Sequence, residues 1–281
     1  MKNHLNKKFI IGLSGHKSTL AKNFIKTHKY HFKFKLFNSN INNHKIFKIW
    51  ISQNRDLNYF INFAAMTSVK NCKKNKTKAF LTNFLSVVKM TKILQMERMN
   101  NFIYLLCISS SHVFEKSKLL LKENKKKKPD NYYGNVKLRM ENYLLKNINN
   151  FNYNIGIARI FNYYDKESKK SFFINDIKKQ LINKKKKLTF INVNTKRDFI
   201  HPYDISTALK HMIRHRLKGD YNICSGKGIV LKDIILHLNK RNKKKKIKFD
   251  DKISEDLIGC NKKILKTGWI IKKKISLNYF G

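Results

Sequence analysis

The first 160 residues predict a doubly wound α/β fold built on a parallel sheet, because strand-like and helix-like stretches alternate through them. Three observations carry this prediction. The apolar run Phe9–Leu13 meets a glycine turn and then a helical stretch. Tyr59–Ala65 and Phe102–Ile108 are nearly unbroken apolar runs, the pattern of strands covered on both faces. Helical stretches separate these runs.

Taken in order, Phe9–Leu13 is a strand that ends in Gly12 and Gly15, and Thr19–Thr27 is a helix. His31–Phe37 sets Phe32, Phe34 and Leu36 against His31, Lys33 and Lys35, a period of two and therefore a strand. Ile46–Ser52 is a brief helix and Tyr59–Ala65 a buried strand. Lys76–Met96 is one helix, with Phe80, Phe84, Val87, Val88 and Thr91 at helical intervals. Phe102–Ile108 is the strongest strand and breaks into Ser109-Ser110-Ser111. A solvated lysine loop ends at Pro129-Asp130, then Tyr133–Lys146 is a helix and Asn154–Ile160 a strand. Beyond it come a helix at Asn175–Ile182, a Lys184–Lys187 turn, and strands at Leu188–Val193 and Arg197–His201. A helix at Asp204–Arg214 follows, with Asp204 as its cap, then a strand at Tyr221–Ile223, a helix at Leu231–Asn239 and a basic tail. Residues 1–160 are expected to form the sheet domain, and residues 161–281 mainly a smaller α/β lobe.

The chain has 281 residues, 42% of them hydrophobic, so it can bury a core. Its 62 Lys and Arg against 17 Asp and Glu give a net charge of +45. The lysines are spread along the whole chain rather than gathered into an arm, and Asn, Ile, Phe and Tyr are inflated with them. That is the pattern of bias toward A/T-rich codons, so no nucleic-acid partner is expected, although the charge still attracts anionic substrates. Cys72, Cys107, Cys224 and Cys260 form no Cys-x-x-Cys pair and have no His at metal-ligand spacing, so they read as free thiols with no metal. No apolar run approaches the roughly 20 residues of a membrane span. Phe9-Ile10-Ile11-Gly12 is too short for the core of a signal peptide. A cytoplasmic protein without membrane contact is expected.

Chemistry enters at Tyr133 and Lys137, four apart and so on one face of their helix. A lysine ammonium held near a phenol favours the phenolate and fits the tyrosine for acid/base work near neutrality. Three separated features align with the pair. Gly12-Leu13-Ser14-Gly15 lies between a strand and a helix, where a pyrophosphate meets backbone N–H groups and the helix dipole. Gly12 is expected to allow the tight turn and Gly15 a close backbone approach. Asn62-Phe63-Ala64-Ala65 ends a strand in small residues that let a flat ring or ribose pass. Ser110 follows the carboxyl end of the Phe102 strand, the edge of an open sheet where ligands bind.

Together these features resemble the extended short-chain dehydrogenase/reductase family, whose members modify nucleotide sugars on a Rossmann fold. Gly12-x-x-Gly15 looks like its glycine turn, Ala64-Ala65-Met66-Thr67-Ser68-Val69 like its cofactor-flanking segment, and Asn83 like its helix asparagine. Ser109-Ser110-Ser111-His112-Val113-Phe114 resembles the catalytic serine segment, and Tyr133-Gly134-Asn135-Val136-Lys137 the Tyr-x-x-x-Lys signature. Arg159-Ile160-Phe161-Asn162 is similar to the segment whose Phe backs the nicotinamide and whose Asn contacts substrate. Arg197-Asp198-Phe199-Ile200-His201 is similar to a motif whose Arg binds the sugar-nucleotide diphosphate. Tyr221–Gly226 and Lys266–Trp269 echo the family's C-terminal lobe.

The resemblance implies catalysis by Ser110, Tyr133 and Lys137, and cofactor binding by Gly12, Gly15, Ala64, Ala65, Asn83, Tyr133, Lys137 and Phe161. It implies substrate contacts from Ser110, Asn162 and Arg197, and a homodimer, as family members often are. Ser18 stands in place of the family's third glycine and Ile11 in place of a common threonine. No Asp or Glu lies between Lys17 and Asp56, so the ribose-binding carboxylate of an NAD enzyme is missing, and Asn38 and Ser39 in a basic setting favour NADP over NAD. Where 4,6-dehydratases carry an acidic residue after the catalytic serine, this chain has Ser111 and His112. That argues against a dehydratase; the Val113-Phe114 ending, the short second and third strand region and the chain length look more like 4-keto-sugar reductases, which the resemblance places ahead of a 4-epimerase. A catalytically dead scaffold that binds RNA or an anionic surface is the rival of another class.

Overall fold

The computed structural model describes residues 8–97, 101–166, 172–182, 187–241, 245–250 and 255–281. Its elements run β1 (Ile10–Ser14), α1 (Thr19–His28), β2 (Lys33–Phe37), α2 (His44–Ser52), β3 (Tyr59–Asn62), α3 (Val69–Lys74), α4 (Lys76–Phe80), α5 (Ser86–Met96), β4 (Tyr104–Ser110), α6 (Tyr132–Lys146) and β5 (Asn154–Ile160). They continue with α7 (Phe172–Ile182), β6 (Lys187–Ile191), β7 (Lys196–Asp198), α8 (Pro202–Arg214), β8 (Gly219–Ile223), β9 (Gly228–Val230), α9 (Leu231–Arg241), β10 (Lys246–Asp250) and α10 (Lys262–Leu265).

A six-stranded parallel sheet has the order β2-β1-β3-β4-β5-β8, the Rossmann-like doubly wound arrangement that the alternation predicted. Ile11 pairs with Phe34 on one side and Tyr59 on the other, so β1 is central. All four residues of β3 are buried, as are Tyr104–Cys107 of β4. On one face, Phe37, Phe47, Phe60, Met90, Leu94, Leu105, Leu144 and Ile157 make a continuous core. Each such side chain contributes about 1.5–3 kcal/mol by leaving water.

The chain divides into two compact units. The first comprises Met1–Glu115, Lys126–Arg159 and Ser206–Tyr221; the second comprises Lys116–Lys125, Ile160–Ile205 and Asn222–Gly281. The second has its own core of Ile174, Leu188, Phe190, Phe199, Ile234, Ile235 and Phe280. It also carries two small sheets, β10 with β6 in parallel and β7 with β9 antiparallel.

Several local expectations are corrected. The single helix over Lys76–Met96 is interrupted by a π turn at Leu81–Leu85, and that wider turn goes with an Asn83 buried to 1% exposure. The short α3 escaped notice because Cys72 is its one buried residue amid lysines. Asp204 is not a cap: α8 begins at Pro202, and the Asp204 carboxylate instead accepts the backbone N–H groups of Lys272 and Lys273, both at 2.9 Å. The tail holds β10, whose Ile247 and Phe249 alternate with lysines inside a longer lysine run that masked the period. Residues 184–186 of the expected lysine turn lie outside the described residues. Among the described residues all four cysteines are free and buried, no helix is long and apolar enough to cross a membrane, and no three His, Cys, Asp or Glu cluster as a metal site would require.

Candidate active site

The carboxyl ends of β1, β3 and β4 gather the candidate residues of the first unit. Because β1 pairs with β2 on one side and β3 on the other, the chain reverses its progress across the sheet there. Such a switch in strand order is where open sheets bind ligands. Ser14 closes β1 and donates its hydroxyl to Asn62 Oδ1 at 2.6 Å; the same oxygen accepts the N–H of Ala64 at 3.2 Å. Gly15 has φ +66°, and a Cβ there would stand 2.4 Å from the backbone nitrogen of Ala64, so only glycine lets this turn lie on the Phe63-Ala64 backbone. Ser18 then caps α1 by accepting the N–H of Ala21. The first turn of α1 holds no acidic residue, which leaves its positive end suited to an anion.

Gly12 does not make the turn. It lies within β1, paired with Lys35 and Phe60, and a Cβ there would meet the Phe60 ring at 2.6 Å. The missing side chain makes room for that ring. Ala64 and Ala65 are half-buried. Asn83 commits both ends of its amide to Met66: Oδ1 accepts the Met66 N–H at 2.8 Å and Nδ2 donates to the Met66 carbonyl at 2.9 Å. It therefore holds the segment after Ala65 in shape.

Ser110 is the last residue of β4 rather than one just past it. Its Oγ accepts the His112 N–H at 3.3 Å and caps the short 3-10 turn Ser111–Val113. Against this turn α6 begins. Asn131 caps it by accepting the N–H of Gly134 at 2.9 Å, and its Nδ2 also meets His112 Nδ1 at 3.0 Å. A Cβ on Gly134 would lie 2.1 Å from the His112 carbonyl oxygen, so glycine is what lets helix and turn touch. The Tyr133 ring, 7% exposed, meets the His112 ring edge-on with centroids 5.6 Å apart.

One turn further along α6, Lys137 is buried and donates from Nζ to the Ile108 carbonyl at 2.8 Å, two residues ahead of Ser110. Burial lowers its pKa to about 8, while Cys107, Glu141 and Cys72 pull it upward. Burial pushes the Cys107 thiol up to about 12 and raises that of Cys72. The start of α6, which carries Tyr133 and Lys137, thus lies against the end of β4 and the turn that follows Ser110. A phenol and a lysine one helical turn apart, over a strand end that carries a serine hydroxyl, are the groups with which a protein can move a proton to or from a substrate oxygen.

The remaining candidates belong to the second unit. Phe161 is buried, donates its N–H to the Ile223 carbonyl at 3.1 Å, and lies where a Cβ on Gly259 would strike it at 2.7 Å. Asn162 donates both its backbone N–H (3.1 Å) and its Nδ2 (3.2 Å) to the Asp198 carbonyl. Arg197 is half-exposed on β7, with Nη1 donating to Thr195 Oγ1, to the Lys196 carbonyl at 2.9 Å and to the Glu255 carbonyl at 3.1 Å. Beside it, Asp198 accepts the Ser225 N–H (2.8 Å) and hydroxyl (2.7 Å) and the N–H groups of Gly226 (2.9 Å) and Gly259 (3.3 Å). Burial still pushes its carboxyl up to about 6.

Sequence reasoning missed Ser109, Asn131, Gly134, Glu141, Arg159 and Asp198 as parts of this architecture. A signal existed for two of them: Glu141 continues the four-residue spacing of Tyr133 and Lys137, and Arg159 is a charge inside the apolar run Ile155–Ile160. A charge in a buried strand needs a partner.

No curated protein matches this chain in sequence. Among solved structures it resembles RMD from Pseudomonas aeruginosa, complexed with NADPH, with TM-score 0.81 and 20% identity over 96% of this chain and 95% of that one. It also resembles the UDP-glucose 4-epimerase of Thermus thermophilus, in complex with NAD (TM-score 0.82, 13% identity, 97% and 99% covered). The UDP-Glc/GlcNAc 4-epimerase of Campylobacter jejuni is similar to a like degree (TM-score 0.80, 18% identity, 97% and 96% covered). At these identities the likeness establishes the fold. The family model described as GDP-mannose 4,6 dehydratase matches residues 5–268, nearly the whole chain. The chain belongs to the GDP-mannose 4,6 dehydratase family, within the extended short-chain dehydrogenase/reductases that act on nucleotide sugars.

Proposed function

We propose that the protein is an NADP-dependent oxidoreductase that reduces the 4-keto group of a nucleotide-activated sugar. What supports this reading is the Lys137 contact to the Ile108 carbonyl of β4, two residues before Ser110, with the α6 start pressed onto the turn after Ser110 through Gly134. Tyr133 gives a proton to the sugar carbonyl oxygen as that oxygen becomes a hydroxyl. Lys137 supplies the positive charge that eases the phenol's proton loss and holds the cofactor ribose. Ser110 donates to the substrate oxygen and stabilises charge developing there. Arg197 grips the diphosphate with a charge-assisted contact, Asn162 contacts the sugar, and Phe161 backs the nicotinamide.

A nicotinamide cofactor fits the residues present. The positive end of α1 and the Gly15 turn suit its pyrophosphate, and Ala64 and Ala65 flank its path; when bound it supplies hydride. After β2 the chain continues Asn38-Ser39 without a carboxylate, and the nearby Asp56 is taken by Lys35 at 2.7 Å. That supports NADP. Titration of the protein with NADPH and with NADH, followed by nicotinamide fluorescence, tests it. NADPH is expected to bind at least about tenfold more tightly, which needs about 1.4 kcal/mol; equal or tighter NADH binding would refute the preference.

The same residues serve a 4-epimerase, which returns the hydride it removes and so shows no net cofactor consumption. The burial of Lys137 one helical turn from Tyr133, over the end of β4, favours either enzyme over a nucleic-acid-binding scaffold, which has no use for it.

A further inference from the structure

Behind Tyr133 and Lys137 runs a chain of buried polar groups to which the proposed chemistry gives no part. Glu141 lies one turn beyond Lys137 on the same face of α6 and is wholly buried. Its Oε1 accepts the hydroxyl of Ser109, the neighbour of Ser110, at 2.6 Å. Arg159, in β5 and equally buried, donates Nε to Oε1 and Oε2 at 2.8 and 3.0 Å and Nη2 to Oε2 at 2.7 Å. The same guanidinium pairs with Asp220 of β8, and its central carbon lies 5.2 Å from the centre of the Phe114 ring.

Burying these charges costs free energy that their mutual attraction only partly returns, and apolar residues of similar volume could fill such a site as stably. What the charged version adds is direction. Each contact has a fixed angle, and together they tie the end of β4, the middle of α6 and β5 to one carboxylate.

We propose that Glu141 is the positioning residue of this site: by holding Ser109 and Arg159 it fixes the end of β4 against α6, and with it Ser110 against Tyr133 and Lys137. The inference rests on the catalytic reading of those three residues. Glu141 also bears on charge. The titratable groups acting on Lys137 are Cys107 from β4, Cys72 from α3 and, on its own helix, Glu141. Burial keeps both thiols protonated near neutrality, so the negative charge stabilising the Lys137 ammonium comes from Glu141.

Two variants and two readouts test this. Ser109→Ala removes one hydroxyl and leaves the ion pair in place. With a turned-over 4-keto nucleotide sugar, kcat is expected to fall about tenfold or more, as a small misplacement of reacting groups can do, with KM changed less than about threefold. Glu141→Gln is read in the cofactor-free protein as denaturant stability against pH, each background compared with Lys137→Met. Lys137 has a folded pKa depressed to about 8, below the roughly 10.4 of an unfolded lysine. The folded state thus releases this proton first, and the Lys137-dependent stability rises with pH across that interval. Without the Glu141 charge the rise should begin at lower pH.

An unchanged kcat in Ser109→Ala together with an unmoved stability window in Glu141→Gln would overturn the proposal. If Glu141→Gln does not fold, the Ser109→Ala kcat decides alone, and a value within twofold of the parent refutes it. If the parent turns over no nucleotide sugar, the catalytic reading fails and the positioning role fails with it. Turnover in the parent with no effect in either variant removes only the role of Glu141.

Discussion

Tyr133→Phe is expected to lower kcat by about 10³-fold or more while leaving NADPH affinity within about threefold, since a positioned acid/base group contributes typically 10²–10⁴-fold. The ring itself is structural. It is buried, packs with Cys72 and Ala79, and meets His112 edge-on, all of which phenylalanine keeps. Only the proton-carrying oxygen is lost. The α6 backbone, its Asn131 cap and the Lys137 contact to Ile108 do not depend on that oxygen. Steady-state kinetics beside a cofactor titration separate the two effects; a kcat within tenfold of the parent would show that another group moves the proton.

Arg159→Leu is expected to destabilise the protein by about 3–5 kcal/mol, the range for removing one partner of a buried ion pair. Leucine fills much of the volume but strands Glu141 without its guanidinium and removes a cationic partner of Asp220. Burial works against the charge on Arg159, yet the two carboxylates more than offset it and hold its pKa above the ordinary value. Urea unfolding of parent and variant measures the loss. Glu141→Gln/Arg159→Leu, which also removes the Glu141 charge, is expected to recover part of it. A loss below about 1 kcal/mol for Arg159→Leu alone would mean that the pair carries little of the fold.

The sheet was readable because its strands are covered on both faces, and Tyr59–Asn62 and Tyr104–Ser110 announce themselves as apolar runs with little ambiguity. The Tyr133–Lys137 pair was readable because one helical turn separates them whatever the tertiary context. Residues whose roles arise only from distant partners were harder. Asn83 stands out only by resemblance, and its clamp on the Met66 backbone, 17 positions away in sequence, leaves no trace in the local pattern. Gly12 is expected to make the tight turn, yet it admits the Phe60 ring inside a strand, and Gly15 makes the left-handed turn. Asp198 reads as the companion of Arg197, whereas its oxygens draw in N–H groups from Ser225, Gly226 and Gly259. Lysine enrichment also blurred polarity as a guide, which hid β10 within the basic tail.

The central claim is hydride transfer to carbon 4 of a nucleotide-linked sugar at the Ser110–Tyr133–Lys137 site. It is tested most directly by incubating the protein with NADPH carrying deuterium in the transferable position and a panel of GDP-, UDP- and dTDP-linked 4-keto hexoses, with product analysis by mass spectrometry and NMR. The predicted result is one product bearing a single deuterium at carbon 4, formed in step with NADPH oxidation and absent with Tyr133→Phe. Bound NADPH with no deuterium in any sugar, or a product unaffected by Tyr133→Phe, would contradict it.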